Sequence, residues 1–86
     1  MQISVELTLS PLQDNFESTI RDFIFKLKHS GFTILENPLS TQIYGDYDKV
    51  MEFLQVEIKD TFENLDDVLI NIKIVKSNRR DYATNI

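Results

Sequence analysis

The chain has 86 residues, a formal net charge of -5 and no cysteine. That length accommodates one domain, the charge excludes the basic footprint of a nucleic-acid binder, and the missing thiols exclude disulfides and thiolate metal sites. So short a chain buries only about 60% of its unfolded surface, so self-association is the expected route to further burial.

Met1-Gln2-Ile3-Ser4-Val5-Glu6 has neither the basic n-region nor the long apolar h-region of a signal peptide. No apolar run approaches the roughly 20 residues that span a bilayer. The expectation is a cytoplasmic protein that meets no membrane.

Residues 2–10 alternate, with Ile3, Val5, Leu7 and Leu9 on one side and Gln2, Ser4, Glu6, Thr8 and Ser10 on the other. A period of two marks a strand with one face on a core. Pro11 ends it. Asp14 followed by Glu17 three residues on has capping-box spacing, which predicts a helix start at Asp14. Phe16, Ile20, Phe23, Ile24 and Leu27 then recur at steps of three and four, one stripe of an amphipathic helix. His29 falls in its last turn and Gly31 just beyond, a usual stop. A metal or base role for His29 lacks a second histidine, and a helix C-terminus favours the protonated ring.

Phe32 to Asn37 and Ser40 to Gly45 read as two short strands around Pro38-Leu39. Gly45 is expected to need a positive φ or a close approach of backbone. Asp46 or Asp48 opens a second helix with Val50, Leu54, Ile58 and Phe62 in one stripe and Met51 beside it. Asn64 to Asp67 is a polar turn. Val68, Ile70, Ile72 and Ile74 alternate with Leu69, Asn71, Lys73 and Val75 as a fourth strand. Beyond Lys76 periodicity vanishes, so the chain divides into a domain over 1–76 and a C-terminal tail over 77–86 that is ordered only if something holds it.

Strand, helix, strand, strand, helix, strand with right-handed crossovers puts both helices on one face of a four-stranded sheet. The predicted fold is therefore α+β, a ferredoxin-like βαββαβ sandwich with strand order 4-1-3-2. Its other face is left without helices. Ser4, Glu6, Thr8, Gln42, Tyr44, Asn71, Lys73 and Val75 are assigned to that face, with Thr33, Leu35 and Asn37 from the second strand. Such a mixture suits a partly wet subunit interface or a ligand site with convergent polar groups, as well as a plain exposed surface.

Charge is uneven along the chain. Eight carboxylates lie between Asp46 and Asp67 against Lys49 and Lys59, whereas Lys73, Lys76, Arg79 and Arg80 make the end basic. This reads as a solvated helix face and tail, or, more sharply, as a preference for a cationic ligand or a head-to-tail subunit contact.

Catalytic constellations are thin. There is no Gly-rich phosphate loop, no cysteine nucleophile and no Ser/His/Asp motif. Ser10-Pro11-Leu12-Gln13 replaces the Gly and Arg loop of the acylphosphatases, which share only the topology. Paired aromatics of an RNA-recognition module are absent, since the central strands carry only Tyr44. The chain is expected not to be an enzyme and to need no cofactor.

Thr41-Gln42-Ile43-Tyr44-Gly45-Asp46 followed by Val50-Met51 resembles the small thiamine-binding-protein family of YkoF-like proteins. Ile3-Ser4-Val5-Glu6, Gly31-Phe32, Pro38, Ile72-Lys73-Ile74 and Arg80-Asp81 match in order. Leu7 departs from that family's frequent Pro, and Leu12-Gln13 from its Gly- and Ser-rich loop. The resemblance implies a ferredoxin-like fold, assembly into a homodimer or homotetramer, and binding of thiamine or its hydroxymethylpyrimidine moiety. For such an aminopyrimidine, Glu6 is the candidate acceptor for the exocyclic amine, Thr8, Thr41 and Asn71 complete the ring edge, and Tyr44 stacks on it. A cationic thiazolium would favour the net negative charge. The other reading is a structural or regulatory homo-oligomeric module with no small-molecule ligand.

Overall fold

Alternation makes the first strand the spine of the molecule. In the computed structural model, which describes residues 1–80, β1 (Gln2–Pro11) is followed by α1 (Glu17–Lys28), β2 (Thr33–Glu36), β3 (Thr41–Asp46), α2 (Tyr47–Asn64) and β4 (Val68–Val75). The strands form one sheet in the order β2-β3-β1-β4, every neighbouring pair antiparallel. This is the ferredoxin-like βαββαβ arrangement, 4-1-3-2 read from the other edge.

The core lies between the central strands and the helices. Ile3, Val5 and Leu7 of β1 and Ile43 of β3 are buried with Phe23 and Leu27 of α1 and Val50 and Leu54 of α2. Each such side chain contributes about 1.5–3 kcal/mol by leaving water. Between the helices, Lys26 Nζ lies 3.2 Å from Asp60, 3.2 Å from Asp22 and 3.4 Å from Glu57. The hydrogen bonds to Asp60 and Asp22 hold its ammonium charged to well above the usual lysine range. The cluster is solvent-screened and orients the helices more than it stabilises them.

Two expectations about the helices change. The first concerns the start of α1. Its N-cap position is Phe16, with no side-chain cap, and Asn15 has a φ of 59°. That left-handed residue turns the chain between Asp14 and Glu17, so Asp14 stands outside the helix and no capping box forms. Gln13 instead ties the loop to the α2–β4 turn: its Oε1 accepts from Asp67 N at 2.8 Å, while Leu12 N donates to Asp67 O at 3.1 Å.

The second concerns the stripe of α2. Phe62 is 50% exposed, and Thr61 and Leu65 are buried in its place. Steps of four drift about 40° each around a 3.6-residue helix, so by Phe62 the stripe has rotated off the core and Thr61 has rotated onto it. Thr61 satisfies its buried hydroxyl by donating to Glu57 O at 2.9 Å.

β4 keeps the place and the alternation expected of it. Val68, Ile70, Ile72 and Ile74 pair with Pro11, Leu9, Leu7 and Val5 and so lie on the helix side. Yet Ile72 and Ile74 are 43% and 46% exposed. β4 is an edge strand, and the helices centre on β1 and β3.

The turns are built as their residues require. Asn37 Oδ1 accepts from Leu39 N at 2.8 Å and Ser40 N at 3.1 Å, closing the β2–β3 hairpin around Pro38. Asp46, the first of the two alternatives, is the N-cap of α2 and accepts from Lys49 N. Gly31, at φ 89°, takes the left-handed position after α1. Gly45 has no positive φ. What needs a glycine there is side-chain proximity, for an added Cβ would meet Phe32 Cδ1 at 3.0 Å and Val50 Cγ2 at 3.1 Å.

Candidate functional site

The strand registers arrange the open face in rows. Val75, Ser4, Tyr44 and Thr33 form one row across all four strands, and Lys73, Glu6, Gln42 and Leu35 form the next. Asn71 and Thr8 lie in a third. Glu6 is thus near the middle of a polar surface, on the central strand, where the ladder on both sides fixes its backbone.

Its carboxylate is held at both oxygens. Ser40 Oγ donates to Glu6 Oε2 at 3.0 Å, and Gln42 Nε2 donates to the same Ser40 hydroxyl. Lys73 Nζ stands 3.6 Å from Glu6 Oε1. Two carboxylate oxygens offer about four acceptor directions, so capacity for a ligand donor remains. Two shallow depressions meet at this pair. One, about 270 Å³, is lined by Glu6, Thr8, Asn71, Ile72 and Lys73. The other, about 190 Å³, has Ser4, Glu6, Gln42, Tyr44, Lys73 and Arg79 among its lining residues.

Glu6, Thr8, Asn71 and Tyr44 are therefore brought to one surface, and Thr41 is not. Thr41 pairs with Leu7, is buried on the helix side, and lines a separate groove with Ile20, Ile24 and the hairpin residues. The reason is strand parity: in β3, residues 42 and 44 face the open side, so 41 faces the other. The same parity applied from Gln42 would have pointed to Ser40, which the sequence reading left out. Arg79 had no such signal, because periodicity ends at Lys76.

The electrostatics also differ from the bulk charge. The acidic run from Asp46 to Asp67 belongs to α2 and its turns, on the opposite layer of the molecule. Beside Glu6 the neighbours are cationic, Lys73 and Arg79. The net charge of -5 is therefore not concentrated around Glu6. His29 is remote too, its ring 4.1 Å from that of Phe25 and its Nδ1 2.9 Å from Phe25 O. Among the described residues no cluster of three or more His, Asp or Glu side chains is placed to hold a metal, and no helix is long and apolar enough to cross a membrane.

Known proteins share this fold. A Streptococcus pneumoniae protein of known structure is 25% identical, superposes with a TM-score of 0.82, and is matched over 95% of this chain and 93% of its own. A Thermotoga maritima protein provisionally assigned to thiamine biosynthesis or salvage is 14% identical, with a TM-score of 0.77 over 90% of this chain and 85% of its own. A domain of unknown function from Bacillus cereus is 16% identical, with a TM-score of 0.74 over 91% of this chain and 78% of its own. No curated protein sequence matches. The model of the family described as thiamine-binding protein matches residues 5–86, all but the first four residues of the chain, and the chain belongs to that family.

Proposed function

We propose that this chain is a non-enzymatic small-molecule-binding protein whose open sheet face takes thiamine or its hydroxymethylpyrimidine moiety. The observation that supports this most directly is Glu6, a carboxylate fixed by Ser40 and flanked by two depressions, in a member of the thiamine-binding protein family. An aminopyrimidine edge needs an acceptor beside donors, and an aromatic or apolar surface against its ring. Glu6 is the acceptor for the exocyclic amine, Thr8 and Asn71 flank the ring edge, and Tyr44 lies one row away for stacking. Lys73 competes for Glu6, so a bound amine replaces or shares that ion pair. Calorimetric titration with thiamine and with hydroxymethylpyrimidine tests the reading. Saturable heat with one ligand supports it, and no heat with either overturns it.

A second reading rests on a different observation. Ile72 and Ile74, on an eight-residue edge strand, stand half out of the core, an arrangement that favours pairing with another chain. On this reading the protein is a homodimer or homotetramer whose contacts are its function, as a structural or regulatory module. Self-association and ligand binding are compatible, so we propose the homo-oligomer in either case.

A further inference from the structure

Ser4 is buried although it lies on the face without helices, where Glu6 and Thr8 on the same strand are partly exposed. What covers it is the chain beyond β4. Ser77 N donates to Val75 O at 2.9 Å, reversing the chain at the end of the strand. Ser4 Oγ then donates to Ser77 O at 2.7 Å and accepts from Arg79 N at 2.7 Å. Further along, Arg80 Nη1 donates to Thr33 Oγ1 at 3.2 Å. Val75, Ser4, Tyr44 and Thr33 are one row of the sheet, so residues 77–80 leave β4, cross β1 and reach β2, with Tyr44 between their two points of attachment. The same segment brings Arg79 to the wall of the depression shared by Glu6, Gln42 and Tyr44.

We propose that residues 77–80 are a strap that opens and closes over the Glu6 site, and that Ser4 is its latch. A serine hydroxyl has one proton to donate and lone pairs to accept, and here a single hydroxyl bridges a carbonyl and an N–H two residues apart in the strap. Alanine removes both bonds and leaves the strand intact. Segments held by a few hydrogen bonds and little apolar burial open locally without global unfolding. With the strap down, the depression at Tyr44 holds about 190 Å³, below the roughly 300 Å³ at which ligand pockets begin. Lifting the strap uncovers Tyr44 and admits a planar heteroaromatic ring between it and Glu6. Ser4 is thus a positioning residue, and this role depends on the ligand reading above only for the identity of the guest.

The test uses the full chain, Ser4→Ala, Ser4→Thr and a chain ended after Lys76. Trypsin cleavage of the Arg79–Arg80 bond is timed by mass spectrometry, nitration of Tyr44 by tetranitromethane is followed in parallel, and melting is recorded. Loss of the latch is expected to speed cleavage in Ser4→Ala about tenfold. Ser4→Thr, which keeps the hydroxyl, should stay near the wild-type rate, and all melting temperatures should remain close. Tyr44 should nitrate faster in Ser4→Ala and fastest in the shortened chain. Equal cleavage of Ser4→Ala and wild type, or Tyr44 nitration indifferent to removal of the strap, overturns the proposal. Faster cleavage that tracks a lowered melting temperature in both Ser4 variants overturns it too, as general loosening. Thiamine added to wild type should speed the cleavage, because a ring seated against Tyr44 holds the strap up. A strap that responds to Ser4→Ala but not to thiamine establishes the latch and rejects thiamine as the guest.

Discussion

Ser40 Oγ donates to Glu6 Oε2 at 3.0 Å, joining residues 34 positions apart in the chain. Glu6 is on β1 and Ser40 ends the β2–β3 hairpin, so the carboxylate is aimed by a residue that the fold alone brings beside it. Gln42 fixes Ser40 in turn.

Replacing Glu6 by Gln keeps the size of the side chain and exchanges one acceptor oxygen for a donating amide. A bound aminopyrimidine then loses the partner of its exocyclic amine. Affinity for thiamine or hydroxymethylpyrimidine should fall by about 1–3 kcal/mol, the usual cost of an unsatisfied buried partner. Calorimetry on both proteins measures it. Unchanged affinity removes Glu6 from the site. Particle mass should not change, because Glu6 is not part of the exposed β4 edge.

Gly45→Val should destabilise the fold by about 1–3 kcal/mol, in the range of overpacked cores. The cause is the side chains of Phe32 and Val50, both close to 3 Å from a new Cβ. Thermal melting checks the cost, and Phe32→Ala in the same chain checks its origin. If the Phe32 ring is the obstacle, the double variant should lose less than the sum of the two single changes. Strict additivity would place the strain elsewhere.

The assembly prediction is read from mass. A single chain is 10.1 kDa, and light scattering at micromolar concentration should return a dimer or tetramer. Ile74→Lys places a charge on the exposed β4 edge and should shift the population toward the single chain. A wild-type particle of one chain rejects the homo-oligomer.

Acid should weaken the cap of α2. The hydrogen bond from Lys49 N holds the Asp46 carboxyl below the usual carboxylate range. Its folded pKa is therefore lower than its unfolded one, and the unfolded chain takes up the proton first as pH falls. The stabilisation is fully present above the unfolded value, near about pH 4, and is lost as pH drops through the folded pKa. Asp46→Asn still caps the helix but cannot titrate. The melting difference between wild type and Asp46→Asn should be constant from neutral pH down to about pH 4 and change below it. A difference that stays flat to pH 2 would show that Asp46 contributes no charge-dependent stability.

Much of this molecule was fixed by local pattern. The alternation of Ile3, Val5 and Leu7 sets which face of β1 is buried, because a strand's side chains can only alternate. That one parity carries through the ladders to Glu6, Thr8, Tyr44 and Asn71. Handedness of the crossovers then leaves a single simple strand order. Where the pattern misled, the cause was geometric. Asp14 has capping spacing but a left-handed Asn15 intervenes, and Phe62 continues a step of four that a 3.6-residue helix does not keep. Thr41 shares a motif with Tyr44 but not its parity. Only the tertiary structure decided the rest: how far the helices leave Ile72 and Ile74 uncovered, that Ser40 reaches Glu6, and that Ser4 meets Ser77 and Arg79. Each is a contact between segments far apart in the chain, and the spacing of residues within one segment holds no record of what the fold places against it.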